Sequence, residues 1–330
     1  MTDVVMNEKH EDVEKHENVL TKEQENALFY RVPINETESE HLAAEPYSYW
    51  KSVFRIFIKK PSAIIAIACM IIMIVGIIIV PFFAYEGAYS FNTNEINLDP
   101  SMDHFFGTDN VGRDLFFCCF KGLSKSLFLA AITSVINIVV GTLVGLAWGY
   151  FRKMDAVMIE VYNLFSNIPS LLLYMLLSFV FTNAFPTMAP EGRLILALCL
   201  TGWIGVALFI RNQTIIITNR DYNVASITLG TPPIRIMLKN LLPYLLAIVI
   251  TEFSLMLPGM ISSEVSMSYF GVGLPVETIS IGAILDNGYA NLVLHPNQLL
   301  APAGTLAFVI FTFYLLGLAL SDALDPKKHR

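Results

Sequence analysis

Charge is scarce in this sequence. Only 15% of its 330 residues are charged, against roughly 25% in soluble domains, and 55% are hydrophobic. Such a chain belongs in a membrane rather than around a water-soluble core. Cysteine is rare as well. Cys69, Cys118, Cys119 and Cys199 form no CxxC pair and have no metal-ligand spacing, so neither a disulfide framework nor a zinc site is expected. No lysine follows a glycine, which excludes a P-loop and ATP binding by that route. GxSxG and HExxH are both missing, so nothing nominates a hydrolase nucleophile and the chain is read as non-catalytic. The fragment HEDVEKH (His10 to His16) spaces its histidines six apart rather than four, off any shared helical face. No basic segment followed by a short apolar stretch and a cleavage site opens the chain, so no secretory signal is expected.

The net charge of −7 is unevenly placed. Residues 1–46 carry 12 acids and 4 bases, whereas the remainder carries 16 and 17. The acidity belongs to the tail and says nothing about a basic substrate. Rich in Glu, Asn and His and poor in aromatics, 1–46 cannot bury enough apolar surface to fold alone, and is expected to be a disordered cytoplasmic tail. A basic membrane-proximal segment, 47–61, precedes the membrane domain, 62–330.

Ser62–Phe83 holds 22 residues without a charge. At about 1.5 Å per residue it crosses a hydrocarbon core of roughly 30 Å. Ser126–Tyr150, Tyr162–Phe181, Leu194–Ile210, Leu241–Met267 and Leu300–Leu320 are further candidates. These runs are continuous rather than alternating, which excludes a closed β-barrel. The expected fold is an all-α polytopic membrane protein with six transmembrane helices. With the N-terminus inside, the inner segments carry thirteen Lys and Arg and the outer ones four (Arg113, Lys121, Lys125, Arg193). That bias places both termini in the cytoplasm of a multi-pass cell-membrane protein.

Between the fourth and fifth spans lies 211–240, a mostly polar inner loop. Asp221–Leu229 suits a short amphipathic helix, which Gly230 can end in a left-handed conformation. Pro232 and Pro233 then force a turn, because the residue before a proline avoids the helical region. A second helix from about Ile234 leads into the fifth span. Two readings of this unit stand: a rigid lever, or an amphipathic helix lying among lipid headgroups.

The pattern Val224-Ala225-Ser226-x-x-x-Gly230, closed by Leu242-Pro243, resembles the E-A-A-x-x-x-G…LP signature loop of binding-protein-dependent ABC importer permeases. Val224 stands in place of the Glu and Ser226 in place of the second Ala, so no role of that Glu is carried over. Four further stretches resemble one branch, the oligopeptide/dipeptide permeases, and its C-type subunit. They are HFFGTDNVGRDLF (His104–Phe116), RKMD with SNIPSLLL (Arg152–Leu173), SYFGVGLP (Ser268–Pro275) and LSDALDP (Leu320–Pro326).

The resemblance implies a type I ABC importer permease fold and a role as half of a pore. The other half is a related second permease. Two ATPase subunits beneath would use ATP and Mg, and an extracytoplasmic receptor would deliver an oligopeptide. This chain would bind no cofactor and no metal itself, and would meet membrane lipid but no nucleic acid. Tyr222, Val224, Ala225, Ser226, Gly230, Pro232, Pro233, Leu242 and Pro243 would then couple ATPase motion to the spans, rocking them between two openings.

Three other groups of residues stand out. In the outer elbow, Gly107 and Gly112 permit tight turns, Thr108 or Asp109 can cap a helix, and Arg113 and Asp114 can form exposed pairs. A capped elbow accounts for these residue types, and receptor docking is the functional alternative. Gly141, Gly145 and Gly149 recur every fourth residue, a face for close helix packing against a neighbour in this chain or in a partner. Pro169 is expected to kink the third span. For the translocation path the candidates are Glu252, Glu264, Asn137, Asn163 and Asn167. Glu264 is expected near the outer end within reach of water. Glu252 lies deeper, either facing the pore or bonding a neighbouring helix.

The competing class is a self-sufficient secondary transporter, which would need internal repeats and broken helices around a midplane site. No repeat between the halves is visible. Within the resembling family, dipeptides and nickel complexes are alternative cargoes. The spans hold no Cys or His cluster, which argues against metal coordination by this chain.

Overall fold

The computed structural model describes residues 49–275 and 278–324. The acidic tail 1–46 and the end of the LSDALDP stretch lie outside the described residues. Among the described residues the regular elements are helices, and 84–114 is a long turn-rich segment with one isolated β-bridge, Thr108–Asp114. The helices are α1 (Tyr49–Lys59), α2 (Pro61–Ile79), α3 (Leu115–Tyr150), α4 (Asp155–Ser166), α5 (Ser170–Ala184), α6 (Pro190–Thr218), α7 (Asp221–Thr228), α8 (Leu242–Tyr269), α9 (Ile281–Ala290) and α10 (Asn297–Leu324). Among the described residues five helical segments are long and apolar enough to cross a membrane: Pro61–Phe83, Leu115–Tyr150, Pro190–Thr218, Pro233–Tyr269 and Asn297–Leu324. α4 and α5 pass the same test only as a pair, bent by 87°.

That bend corrects the expectation for the third span. Helix α4 stops at Ser166, and Pro169 takes an extended backbone (φ −53°, ψ 124°) before α5 begins. A proline that lacks its N–H and disfavours a helical residue before it breaks the helix here instead of kinking it. The second span begins at Leu115, well before Ser126, because Asp114 caps it there and accepts from the Phe116 and Phe117 amides. Lys121 and Lys125 depress the hydropathy of that first stretch without interrupting the helix. α6 likewise runs past Ile210 to Thr218, so the first eight positions of 211–240 are helix and not loop. Short helix α9, between the last two spans, was not anticipated.

α3 and α6 form the most extensive helix pair. Their close approach is set by Gly141, Gly145 and Gly149: a Cβ on these would strike Val206, the Ala207 carbonyl and Thr214 of α6 respectively. The neighbour of that glycine face is therefore within the chain. With little hydrophobic drive between helices in lipid, such backbone proximity supplies the packing attraction. α8 packs on α3 and α10, and Met73, Leu123, Leu257, Ile261 and Val309 are among the buried side chains that join α2, α3, α8 and α10. α1 lies against the end of α10 through Val53, Ala323 and Leu324, and Lys60 Nζ pairs with Asp322 at 2.9 Å.

Candidate functional site

The segment that follows α6 is built as a short rigid arm. α7 ends in a Schellman motif: Gly230 N–H donates to Ile227 O and Thr231 N–H to Ser226 O. Gly230 takes φ +77°, a conformation that glycine adopts without a Cβ penalty. Pro232 then initiates one helical turn at Pro233–Arg235. A π-helical segment, Ile236–Leu241, carries that turn into α8, where Leu242 and Pro243 occupy the first turn. The backbone from Pro233 to Tyr269 is continuous helix.

Asn223 fixes the arm to the bundle. It is fully buried, its Nδ2 donates to Ile217 O at 2.8 Å, and its Oδ1 accepts from Asn240 Nδ2 at 3.2 Å. One side chain thus ties α7 to the end of α6 and to the π segment. Tyr222 and Tyr244 stack with centroids 6.0 Å apart, and Arg220 lies 5.9 Å over the Tyr244 ring. Burial, with the Tyr244 hydroxyl beside it, pushes the Tyr222 phenol above its ordinary value.

The rest of α7 faces outward. Tyr222, Val224, Ile227 and Leu229 are exposed apolar residues on one short helix, Leu229 at 86%, and Ala225 is exposed among them. Ser226 and Thr228 donate their hydroxyl protons back to the Tyr222 and Val224 carbonyls, so neither has a proton left to donate outward. A cleft of about 660 Å³ separates Val224 and Ile227 from the α3–α4 turn. At that turn the Arg211 guanidinium grips Asp155 at 2.6–2.9 Å, and Trp148 Nε1 donates to the same carboxylate at 2.8 Å. This clamp joins α3, α4 and α6 next to the arm. Sequence reading missed Asn223, Asn240, Trp148, Asp155 and Arg211. The RKMD stretch contained the only hint, Asp155.

At the opposite end of α3 the elbow departs from expectation. Thr108 and Asp109 cap no helix. Thr108 Oγ1 accepts from Leu98 N and donates to Glu95 O, while Asp109 accepts from the Val111 and Arg113 amides. Capping falls to Asp114, which also pairs with His104 at 2.9 Å. The Arg113–Asp109 pair, at 2.7 Å, is buried and not exposed as expected. Gly107 and Gly112 have φ +77° and +81° and stand against the Leu98 and Asn92 carbonyls, where a Cβ has no room. Gln298 of α10 donates to Asn97 and Thr108 and locks the elbow onto the bundle.

The path candidates scatter. Glu264 is 1% exposed, which corrects the expectation of water contact. Its carboxylate accepts from Ser126 Oγ at 2.8 Å and Ser268 Oγ at 3.2 Å, where α3, α8 and the start of α9 meet. Asn137 is buried between α3 and α6 against Gly202, donating to Leu198 O at 3.4 Å. Asn163 on α4 and Asn167 just past its end are exposed, and Asn167 Nδ2 donates to the Asn163 carbonyl. Glu252 is half-buried in a cleft of about 460 Å³ between α6, α8 and α10, which it shares with Gln213 and Ser321. Among the described residues no three His, Cys, Asp or Glu side chains gather as a metal site requires.

Residues 48–100 match the N-terminal TM domain of oligopeptide transport permease C. The chain is 37% identical to the oligopeptide transport system permease protein AmiD of Streptococcus pneumoniae, over 92% of this chain and 97% of that one. It is 31% identical to the oligopeptide transport system permease protein OppC of Bacillus subtilis, over 91% and 97%. With the dipeptide transport system permease protein DppC of the same organism it shares 32%, over 89% and 90%. Residues 137–330, which hold α7, the π segment, Glu252 and Glu264, match the binding-protein-dependent transport system inner membrane component, and the chain belongs to that family.

Proposed function

We propose that this chain is the transmembrane pore subunit of an ATP-driven oligopeptide importer, forming half of the translocation path beside a homologous permease. Six spans, with α4 and α5 together as the bent third, cross the cell membrane with both termini in the cytoplasm. α7 seats its exposed apolar residues in a groove of an ATPase subunit. Closure of the ATPase pair, fuelled by ATP and Mg on those subunits, pushes α7. The continuous helix from Pro233 to Tyr269 carries the push into the span that holds Glu252. An external receptor supplies the peptide.

The observation that carries this reading is the contrast within α7. Its one buried polar residue, Asn223, is bonded to two neighbours, while Tyr222, Val224, Ile227 and Leu229 present apolar surface outward. A helix resting passively on the bundle would turn that apolar surface inward. Exposed anchors around a fixed base suit a protein groove. The relatives named as oligopeptide permeases support the cargo class. The segment 211–240 narrows on this reading to a coupling unit of Asn219–Leu241.

The test is an affinity pull-down of the chain from its native membrane in mild detergent, read by mass spectrometry. Recovery of a second permease, ATPase subunits and a peptide receptor is expected. A chain recovered alone that still moves solute into vesicles without ATP would replace this reading with that of a secondary transporter.

A further inference from the structure

At the end of α3 remote from α7, a cleft of about 780 Å³ opens on the flank of α2. Its polar wall is Tyr89, Lys121, Ser124 and Lys125, and Ile77, Pro81 and Phe128 form the apolar side. Lys121 and Lys125 lie one helical turn apart and so share a face of α3. Lys125 is paired with Glu191 at 2.5 Å. Lys121 has no carboxylate partner among the described residues; its Nζ sits 3.8 Å from the centre of the Tyr89 ring. The Tyr89 hydroxyl is closed to solvent and has no hydrogen-bond partner, a costly state for a buried donor. Burial pushes its phenol above the ordinary value, so it remains a proton donor.

α2 is the most apolar of the spanning segments, with mean hydropathy 3.3, and only 17% of its apolar window is covered by the rest of the chain. Phe82 and Phe83, at its end, are 85% and 77% exposed. The cleft therefore opens where hydrocarbon gives way to headgroups, and long lysine stems reach that boundary from an apolar helix.

We propose that this cleft binds the phosphodiester headgroup of an anionic phospholipid. Lys121 and Lys125 donate to the phosphate oxygens. The acyl chains run down the Ile77 and Phe128 side of α2 and α3. The inference rests on the reading that these helices span a bilayer, and on nothing about cargo or ATP.

The experiment uses the assembled complex purified in mild detergent, exposed to phosphatidylglycerol or phosphatidylcholine of identical acyl chains, with retained lipid counted by native mass spectrometry. The wild type is expected to retain phosphatidylglycerol in preference. Lys121→Gln with Lys125→Gln weakens retention about thirtyfold, the combined effect of two cations at an anionic surface. Tyr89→Phe, which keeps the ring under Lys121 and removes only a hydroxyl closed to solvent, leaves retention unchanged. Lys121→Arg preserves it, as does Lys60→Gln at the other end of the bundle. Equal retention of the two lipids, or an unchanged double variant, overturns the proposal. Competition by inorganic phosphate as effective as by lipid would make the ligand a soluble anion and also overturn it. So would loss of receptor binding in the double variant with lipid retention intact. Lipid counting needs no transport, so these outcomes are separate from those that test the pore reading.

Discussion

From Asn92 to Asp114 the polar side chains are used on the chain itself: Thr108, Asp109, His104 and Asp114 all bond within the loop, and Gln298 closes it against α10. From Asn219 to Leu241, at the other end of α3, α7 is tied down through Asn223 and the Tyr222–Tyr244 contact, and its apolar residues look outward. The first turn pairs its buried charges internally, and the second is held by a single buried asparagine. Both use glycines at positive φ, so tight backbone geometry does not separate them. Satisfaction does. The elbow pairs its buried charges with its own groups, although Met102 and Phe105 remain exposed, whereas the arm has one bonded buried side chain at its base and an otherwise largely exposed helix.

The sharpest way to break this contrast is to unsatisfy the elbow. Asp109→Ala strips Arg113 of its buried carboxylate and two amides of their acceptor, and is expected to destabilise the chain by about 3–5 kcal/mol. Thermal unfolding should fall and membrane levels with it, while the protein that remains transports normally per molecule. Transport lost at full protein level would make the elbow a transmitter too. Gly230→Pro comes next. Proline can adopt neither φ +77° nor donate to Ile227, a local penalty of about 3 kcal/mol. The chain should still insert, with uptake lost while ATP hydrolysis continues; unchanged uptake would defeat the lever.

Asn223→Ala sharpens the comparison by loosening the arm alone. The expected loss is about 1–3 kcal/mol from an unmade buried bond, read as faster amide exchange across 217–228 with the elbow unaffected. Leu229→Ser has the smallest effect on the fold, within about 0.5 kcal/mol for an exposed site, yet should weaken capture of the ATPase subunits. If it changed the melting temperature as much as Asn223→Ala, Leu229 would be packed and the arm finished.

Much of this was legible before the structure. Gly107, Gly112 and Gly230 announce turns because few other residues occupy left-handed backbone. The glycine repeat announces close packing because hydrocarbon provides no other drive. What was not legible depends on partners distant in sequence. Glu264 is buried by Ser126, 138 residues away, and Asn223 by Asn240 across a turn. An asparagine or a glutamate reads the same in a string whether its partner is water or a serine. The third span failed differently. Pro169 was noticed, but whether a proline kinks or breaks a helix is decided by what packs around it.

The π segment at Ile236–Leu241 has a consequence of phase. A π turn inserts one residue into an α-helix, and an α-helix advances about 100° per residue. Every side chain beyond Leu241 therefore points about 100° away from where an uninterrupted helix from Pro233 would aim it. Rewinding the π turn to α with every residue kept would turn α8 like a crank and carry Glu252 out of its cleft between α6 and α10, whereas deleting one residue at the same time would leave its bearing unchanged. The bearing of that acid is set by a count of residues beginning at α7.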